Sequence, residues 1–297
     1  MKTPTNIIPI GEDIAPEDDR LIEYRQLREN RLARPLEGAP EGVFIAEGDK
    51  VVKLLLERSL YQPRSLLLAD TRTELATEFA EMVGPGVPVY LASRPVMDEI
   101  VGFPIHRGVL ASGIRRPMEP VSAVLKGARA CVVLEGLSNH DNVGGLMRVA
   151  AALGGVSDTG VPACPLLLDP TSCDPLYRKS IRVSMGHALR VPFTRVPDWP
   201  GGLTELIALG FTTIALTTDE DSEPIGDVVG IDRPALLLGA EGPGLSQGAQ
   251  RSADVRVRIP MSAGVDSLNV VTAGAIALSK LVDPGLACEL NPPEGVE

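Results

Sequence analysis

Aromatic side chains are scarce in this chain of 297 residues, at 3% of its composition. Its cores must therefore be built from Leu, Val, Ile and Ala, stacking platforms for single-stranded bases are scarce, and no aromatic-rich binding surface is expected. Positive charge is short as well: 28 Lys and Arg stand against 39 Asp and Glu, a formal net charge of −11. That balance argues against a protein that coats nucleic acid through bulk electrostatics, while leaving room for a local basic face. The four cysteines (Cys131, Cys164, Cys173, Cys288) form no CxxC pair, and His106, His140 and His187 are scattered. Neither a metal site nor a disulfide framework is signalled, and buried thiols are expected. No apolar run is long enough for a membrane span, and Met1-Lys2-Thr3-Pro4 does not open a signal peptide. A soluble cytoplasmic protein without metal or membrane partner is the expectation.

What is present is length and apolar content, 297 residues at 44% hydrophobic, enough for two domains with real cores. Residues 1–17 read as an extended or loosely held arm. A helix is predicted over residues 18–34, with Arg25, Arg28, Arg31 and Arg34 along one side, either a solvated face or a phosphate-contacting one. Strands at 43–48, 65–69 and 87–91 then alternate with helices at 49–59 and 74–82, and residues 106–111 close the module. Residues 112–120 read as a linker, placing the boundary between domains 1–120 and 121–297.

The second part opens with an apolar strand at 130–134 and a polar glycine-rich loop at 135–145, followed by a helix at 146–153. Further strands are predicted at 165–168, 188–193, 212–216 and 235–238, and helices at 177–185 and 203–209. A second glycine-rich loop follows at 239–246. Alternating Val255, Val257 and Ile259 lead into a third polar loop, with Ser267 as N-cap of a small-residue helix. Loops at the carboxyl ends of strands in an open α/β sheet converge on one ligand crevice.

No GxxxxGK[ST] or GxSxG occurs, and the glycines from Gly242 to Gly248 miss GxGxxG by one residue. The loops instead offer Asn142, Arg148, Glu241, Ser267 and Asn269: amides, a hydroxyl, one acid and one permanent cation. That set suits holding a polar cofactor and positioning a hydroxyl nucleophile.

These residues carry a resemblance. Asn142-Val143-Gly144-Gly145-Leu146-Met147-Arg148-Val149-Ala150 resembles the first signature of the SpoU (TrmH-like) RNA 2′-O-ribose methyltransferases of the SPOUT superfamily. Leu238-Gly239-Ala240-Glu241-Gly242-Pro243-Gly244-Leu245 resembles the second, and Ile259-Pro260-Met261 through Ser267-Leu268-Asn269-Val270 the third. The segment from Tyr177 to Gly186 is similar to the stretch between them, and Ile45-Ala46-Glu47-Gly48 with His106-Arg107-Gly108-Val109-Leu110 resembles the accessory substrate-binding domain. In the first signature, Ser138-Asn139-His140-Asp141 stands where the family more often has a proline.

The resemblance implies an α/β fold: a C-terminal parallel-sheet methyltransferase domain with a deep trefoil knot and a smaller N-terminal α/β RNA-binding domain. It implies S-adenosylmethionine as cofactor, contacted by Gly239, Glu241, Gly242, Ile259, Met261, Leu268 and Asn269, with Thr217 and Thr218 beside the adenine. It further implies a structured RNA substrate, tRNA or rRNA, and a homodimer through the C-terminal domain. Arg148 would grip a target phosphate, and Asn142, Glu241, Ser267 and Asn269 would hold the loops and orient the ribose. The alternative is a non-catalytic RNA-binding protein that keeps the fold.

Overall fold

The computed structural model describes residues 4–11, 18–27, 32–105, 107–157, 160–228 and 230–282. The chain divides into two compact units, Met1–Pro117 with Leu176–Leu189, and Met118–Pro175 with Arg190–Glu297.

The first unit holds a five-stranded sheet made of β1 (Ile7–Ile10), β2 (Val43–Glu47), β3 (Pro63–Ala69), β4 (Val89–Ala92) and β5 (Val109–Ile114). The spatial order is β1-β4-β3-β5-β2. β1, β4 and β3 run parallel, and β5 is antiparallel to β3 and β2. Helix α1 (Asp49–Arg58) buries Val51, Val52 and Leu55, α2 (Thr73–Val83) buries Ala76, Phe79 and Ala80, and α3 (Arg94–Val101) follows β4. α3 is absent from the sequence reading because Pro95 interrupts the pattern, yet proline suits the first helical turn, where its missing N–H has no partner to lose.

Three expectations change here. The N-terminal arm contains a strand, β1, tied down by Asn6, whose buried amide donates to the Gly84 and Val87 carbonyls at 2.9 Å each. Residues 19–27 of the expected helix form a 3-10 segment (Asp19–Leu27), while Arg28 and Arg31 lie outside the described residues, as do His106 and Cys288. Ser112, read as the start of a linker, is fully buried within β5.

A buried polar chain fastens the 3-10 segment to the sheet. Arg64 Nε donates to Glu23 at 2.8 Å, and the Ser65 hydroxyl donates to the other oxygen of the same carboxylate. With its proton committed there, Ser65 accepts from the Tyr24 hydroxyl at 2.7 Å. Burial, then the nearby Glu23 charge, pushes the Tyr24 phenol well above its usual pKa, so it remains a donor.

The second unit is built on a parallel seven-stranded sheet: β6 (Cys131–Glu135), β7 (Leu166–Leu168), β8 (Phe193–Arg195), β9 (Thr212–Leu216), β10 (Glu223–Pro224), β11 (Pro234–Gly239) and β12 (Val255–Arg258). The order is β10-β12-β9-β11-β6-β7-β8. β11 thus sits between β6, from which the chain winds outward one way, and β9, from which it winds the other. That reversal is where an open α/β sheet leaves a crevice. Val133, Leu167, Ala215 and Leu237 share one core face with Leu203 and Leu206, following the strand period of two.

The helices are α4 (Val121–Val124), α5 (His140–Leu153), α6 (Arg178–Val183), α7 (Leu203–Ala208), α8 (Gln247–Ser252) and α9 (Val270–Leu281). α6 lies within Leu176–Leu189 and clusters with the first unit, where Arg178 pairs with Glu47 at 3.5 Å and stacks 4.6 Å from the Phe103 ring. The strand expected at 188–193 is replaced by a 3-10 turn (His187–Leu189) and the later β8, since Gly186 takes φ 86 and turns the chain. Burial raises the Cys131 thiol pKa well above normal and that of Cys164 to about 12, which keeps both protonated.

Replacing Ser65 with Ala removes the acceptor of the Tyr24 proton and the donor to one Glu23 oxygen in the interior. The variant should lose about 1–3 kcal/mol for each buried group left unsatisfied, read as a lowered thermal midpoint against the parent.

Candidate functional site

α5 begins at His140 and not at Leu146, so Asn142, Gly144 and Gly145 are helical and not part of a loop. The start is set by Asn139, whose side chain accepts from the Asp141 amide at 2.9 Å. Glycine inside a helix costs about 1 kcal/mol against alanine, and here it gives close approach. A Cβ on Gly145 would stand 2.7 Å from Val271 Cγ2, and one on Gly274 would stand 2.7 Å from Leu146 Cδ2. α5 and α9 are therefore pressed together along their N-terminal halves.

That contact brings three predicted residues into one cluster. Asn142 Nδ2 donates to Glu241 Oε1 at 2.9 Å, and Asn269 Nδ2 donates to the same oxygen at 3.0 Å and to Asn142 Oδ1 at 3.2 Å. Asn269 also caps α9, accepting from the Val271 amide at 3.0 Å. The expected cap, Ser267, is displaced because Asn269 stands immediately before the helix and can spend its carbonyl on the cap and its amide on the triangle.

The strand-end loops enclose a cleft of about 640 Å³. Thr217 and Thr218 line it from the end of β9, Gly239, Glu241 and Gly242 from β11, and Ile259, Met261, Ser267, Leu268 and Asn269 from the loop after β12. Every residue expected to touch a cofactor is on this wall. A Cβ on Gly239 would collide with the backbone of Gly244 and Leu245, so only glycine lets the second loop fold back over the strand end. Asn142 supports the wall from behind. Arg148 lies outside the lining, exposed on α5, and makes no hydrogen bond or ion pair with the described residues.

The anchors of these loops lie outside the three signatures. Asp169, buried at the end of β7, accepts from the amides of Gly136 at 3.0 Å and Ser172 at 2.8 Å and from both the Thr171 and Ser172 hydroxyls. Ser172 in turn accepts from the Leu137 amide at 3.0 Å, which fixes the loop leading into α5. Burial acts to raise the Asp169 pKa, and the Ser172, Thr171 and Gly136 donors outweigh it, holding the carboxyl below its ordinary 3.8. Asp169-Pro170-Thr171-Ser172 is a turn pattern in which the acid side chain binds amides ahead of it, and that was the available signal. Among the described residues no cluster of three His, Cys, Asp or Glu could hold a metal ion, and no helix is long and apolar enough to cross a membrane.

A parallel sheet that collects polar, glycine-rich loops into one crevice, with an amide–carboxylate cluster at its rim, defines an α/β protein built to hold a small polar cofactor. The pattern of the SpoU rRNA Methylase family matches residues 129–279, and the chain belongs to that family of RNA methyltransferases. It is 43% identical over 278 residues to an uncharacterized tRNA/rRNA methyltransferase of Mycobacterium tuberculosis, across 91% of this chain and 92% of that one. It is 31% identical over 216 residues to the 23S rRNA (guanosine-2'-O-)-methyltransferase RlmB of Acinetobacter baylyi, across 70% of this chain and 83% of that one. The fold is similar to an AdoMet-bound rRNA methyltransferase from Sinorhizobium meliloti, with TM-score 0.74 and 21% identity over 93% of this chain and 97% of the other. It is also similar to the SpoU methyltransferase AviRb from Streptomyces viridochromogenes in complex with AdoMet, with TM-score 0.71 and 23% identity over 89% of this chain and 97% of the other.

Asn269→Asp keeps a good helix cap but sets a second carboxylate against Glu241. It should destabilise the protein at least as much as Asn269→Ala, whose lost cap alone costs about 1 kcal/mol; thermal unfolding of both variants measures this. Asp169 gives a pH signature. Its pKa is lower in the folded chain than in the unfolded one, so the ionised form stabilises the fold above the ordinary carboxylate range, and the benefit fades as pH falls through the folded value. Asp169→Asn should therefore be clearly less stable than the parent near pH 7, and the gap should narrow by about pH 3.

Proposed function

We propose that the second unit binds S-adenosylmethionine in the strand-end cleft and methylates a ribose 2′-hydroxyl of structured RNA, tRNA or rRNA. The reading is carried by one observation: Asn142, Glu241 and Asn269, drawn from three separate signatures, close a hydrogen-bonded triangle at the rim of the cleft. Its lining suits the cofactor. Leu216, Leu238, Ile259 and Leu268 offer apolar surface for a purine, the glycine loop offers bare backbone for its polar edge, and Asp219, Glu241 and Asp266 offer carboxylates for a cationic tail. Bound there, S-adenosylmethionine supplies a methyl group on a positively charged sulfur.

The chain's own residues do the rest. Asn142 and Asn269 donate to Glu241 and so hold the first, second and third loops in one register. Ser267, on the lining without a partner of its own, is free to bind a ribose hydroxyl. Arg148 is a permanent cation whose planar fork matches a phosphate, and it fixes the target nucleotide. Because Arg148 is exposed and outside its own cleft, it serves the cleft of a second copy, paired through the C-terminal domain. Leu268 at 38% exposure, with the half-buried Val271 and Ile276 on α9, supplies apolar surface for such a partner. The chain returning from outer β12 to pack α9 on α5 passes through the family's trefoil knot in this reading. The first unit supplies RNA recognition.

Arg148→Ala should leave the dissociation constant for S-adenosylmethionine within about twofold while methyl transfer to RNA falls at least a hundredfold, roughly the loss of one transition-state contact. Calorimetry and tritium-methyl transfer to RNA from cells lacking the protein measure the two, and 2′-O-methyl mapping of that RNA names the nucleotide. Mixed dimers of Arg148→Ala and Asn269-disabled chains should recover one working site if the site is shared. Parent protein that binds RNA but transfers no label would mark the chain as a binding protein without turnover.

A further inference from the structure

Glu135 is the last residue of β6, half-buried, and both of its carboxylate oxygens are in use. Oε1 accepts from the Trp199 indole nitrogen at 2.7 Å, and Oε2 accepts from the Ser246 backbone amide at 2.8 Å. Among the described residues no lysine or arginine pairs with it. A carboxylate placed to take two neutral N–H donors, one from a side chain and one from a loop backbone, acts as a clamp.

The clamped loop is the one after β11. At its start, Gly239 lies opposite Glu135 in the strand register. It then closes on itself, with Gly244 N donating to the Ala240 carbonyl at 2.9 Å and Gly242 and Gly244 at φ 89 and 69. Such backbone has little intrinsic stiffness, since glycine is free to leave these conformations. Its far end is Ser246, whose hydroxyl caps α8 through the Ala249 amide at 3.2 Å and whose own N–H is held by Glu135. A Cβ on Gly248 would stand 3.2 Å from Pro200 Cγ, so the turn carrying Trp199 also packs against the start of α8.

We infer that Glu135 is a positioning residue for the cleft: it ties the Trp199 turn to the closing end of the loop 240–246, and the hold of that loop on a nucleoside cofactor depends on the tie. The statement about affinity rests on reading the cleft as the S-adenosylmethionine site; the tie itself does not. Glutamine at this position keeps the size but has one acceptor, so either the indole or the Ser246 amide loses its partner.

Two measurements on the full chain separate these layers. In hydrogen–deuterium exchange of ligand-free protein, Glu135→Gln should speed exchange in the loop 240–246 about tenfold and leave the loop 259–268 unchanged. In titration with S-adenosylmethionine the same variant should bind about tenfold more weakly, and in turnover the KM for the methyl donor should rise to match while kcat stays within about threefold. Exchange and affinity equal to the parent's would overturn the inference, as would a fall in kcat at unchanged KM. Faster exchange with a parent that binds no S-adenosylmethionine would overturn the cofactor reading and leave the clamp standing. Should Glu135→Gln fail to fold, the parent decides. Trp199 is the chain's single tryptophan, its emission should shift on saturation with the methyl donor, and unmoved emission at proven saturation would overturn the coupling.

Discussion

The close approach of α5 and α9 is the constraint on which the site depends. At Gly145 and Gly274 there is no room for a β-carbon, because Val271 and Leu146 already occupy the space. Each glycine costs its helix about 1 kcal/mol in propensity, and the return is geometric. Only with the two helix starts pressed together can the amides of Asn142 and Asn269 reach the same Glu241 oxygen. Loops that leave different strands of the sheet are thereby fixed relative to one another by three side chains.

The acidic excess of the chain finds part of its use in the same region. Asp169 gathers the amides of Gly136 and Ser172, and Glu135 takes that of Ser246. In each case a carboxylate near a strand end accepts from backbone that would otherwise be left unpaired at the edge of the core. A net charge of −11 therefore does more than keep nucleic acid from binding indiscriminately. It pins loops whose glycine content gives them no stiffness of their own.

The central strands β6, β7, β9 and β11 were legible because a parallel strand buried on both faces reads as an unbroken apolar run, as Leu166–Leu168 and Pro234–Gly239 do. Gly239 and Leu268 stand in the second and third signatures and line the same cleft, as does Thr217, which no signature contains. What failed was local and had a common cause. The start of α5 reads as loop because of Gly144 and Gly145, whereas Gly145 serves a tertiary contact with Val271 that no single segment contains. Ser267 reads as a cap because serine is as good a cap in isolation, and Asn269 takes the role because the helix begins at Val270. β1 was missed because a four-residue edge strand gains its pairing from β4, far along the chain. Glu135 and Trp199 lie 64 positions apart, and nothing in either neighbourhood announces the other.

The segment Leu176–Leu189 has a consequence for the chain's modularity. It leaves the second unit between β7 and β8 and belongs by its packing to the first, with Ile181, Ala188 and Leu189 buried there and Arg178 held by Glu47 and Phe103. The first unit is therefore not a detachable N-terminal piece. A gene fusion or exchange that breaks at residue 117 would carry away the sheet and leave behind a helix whose apolar side has lost its seat. Any exchange of the first unit has to rewrite this insertion at the same time, so the two distant stretches of sequence are bound to change as a pair.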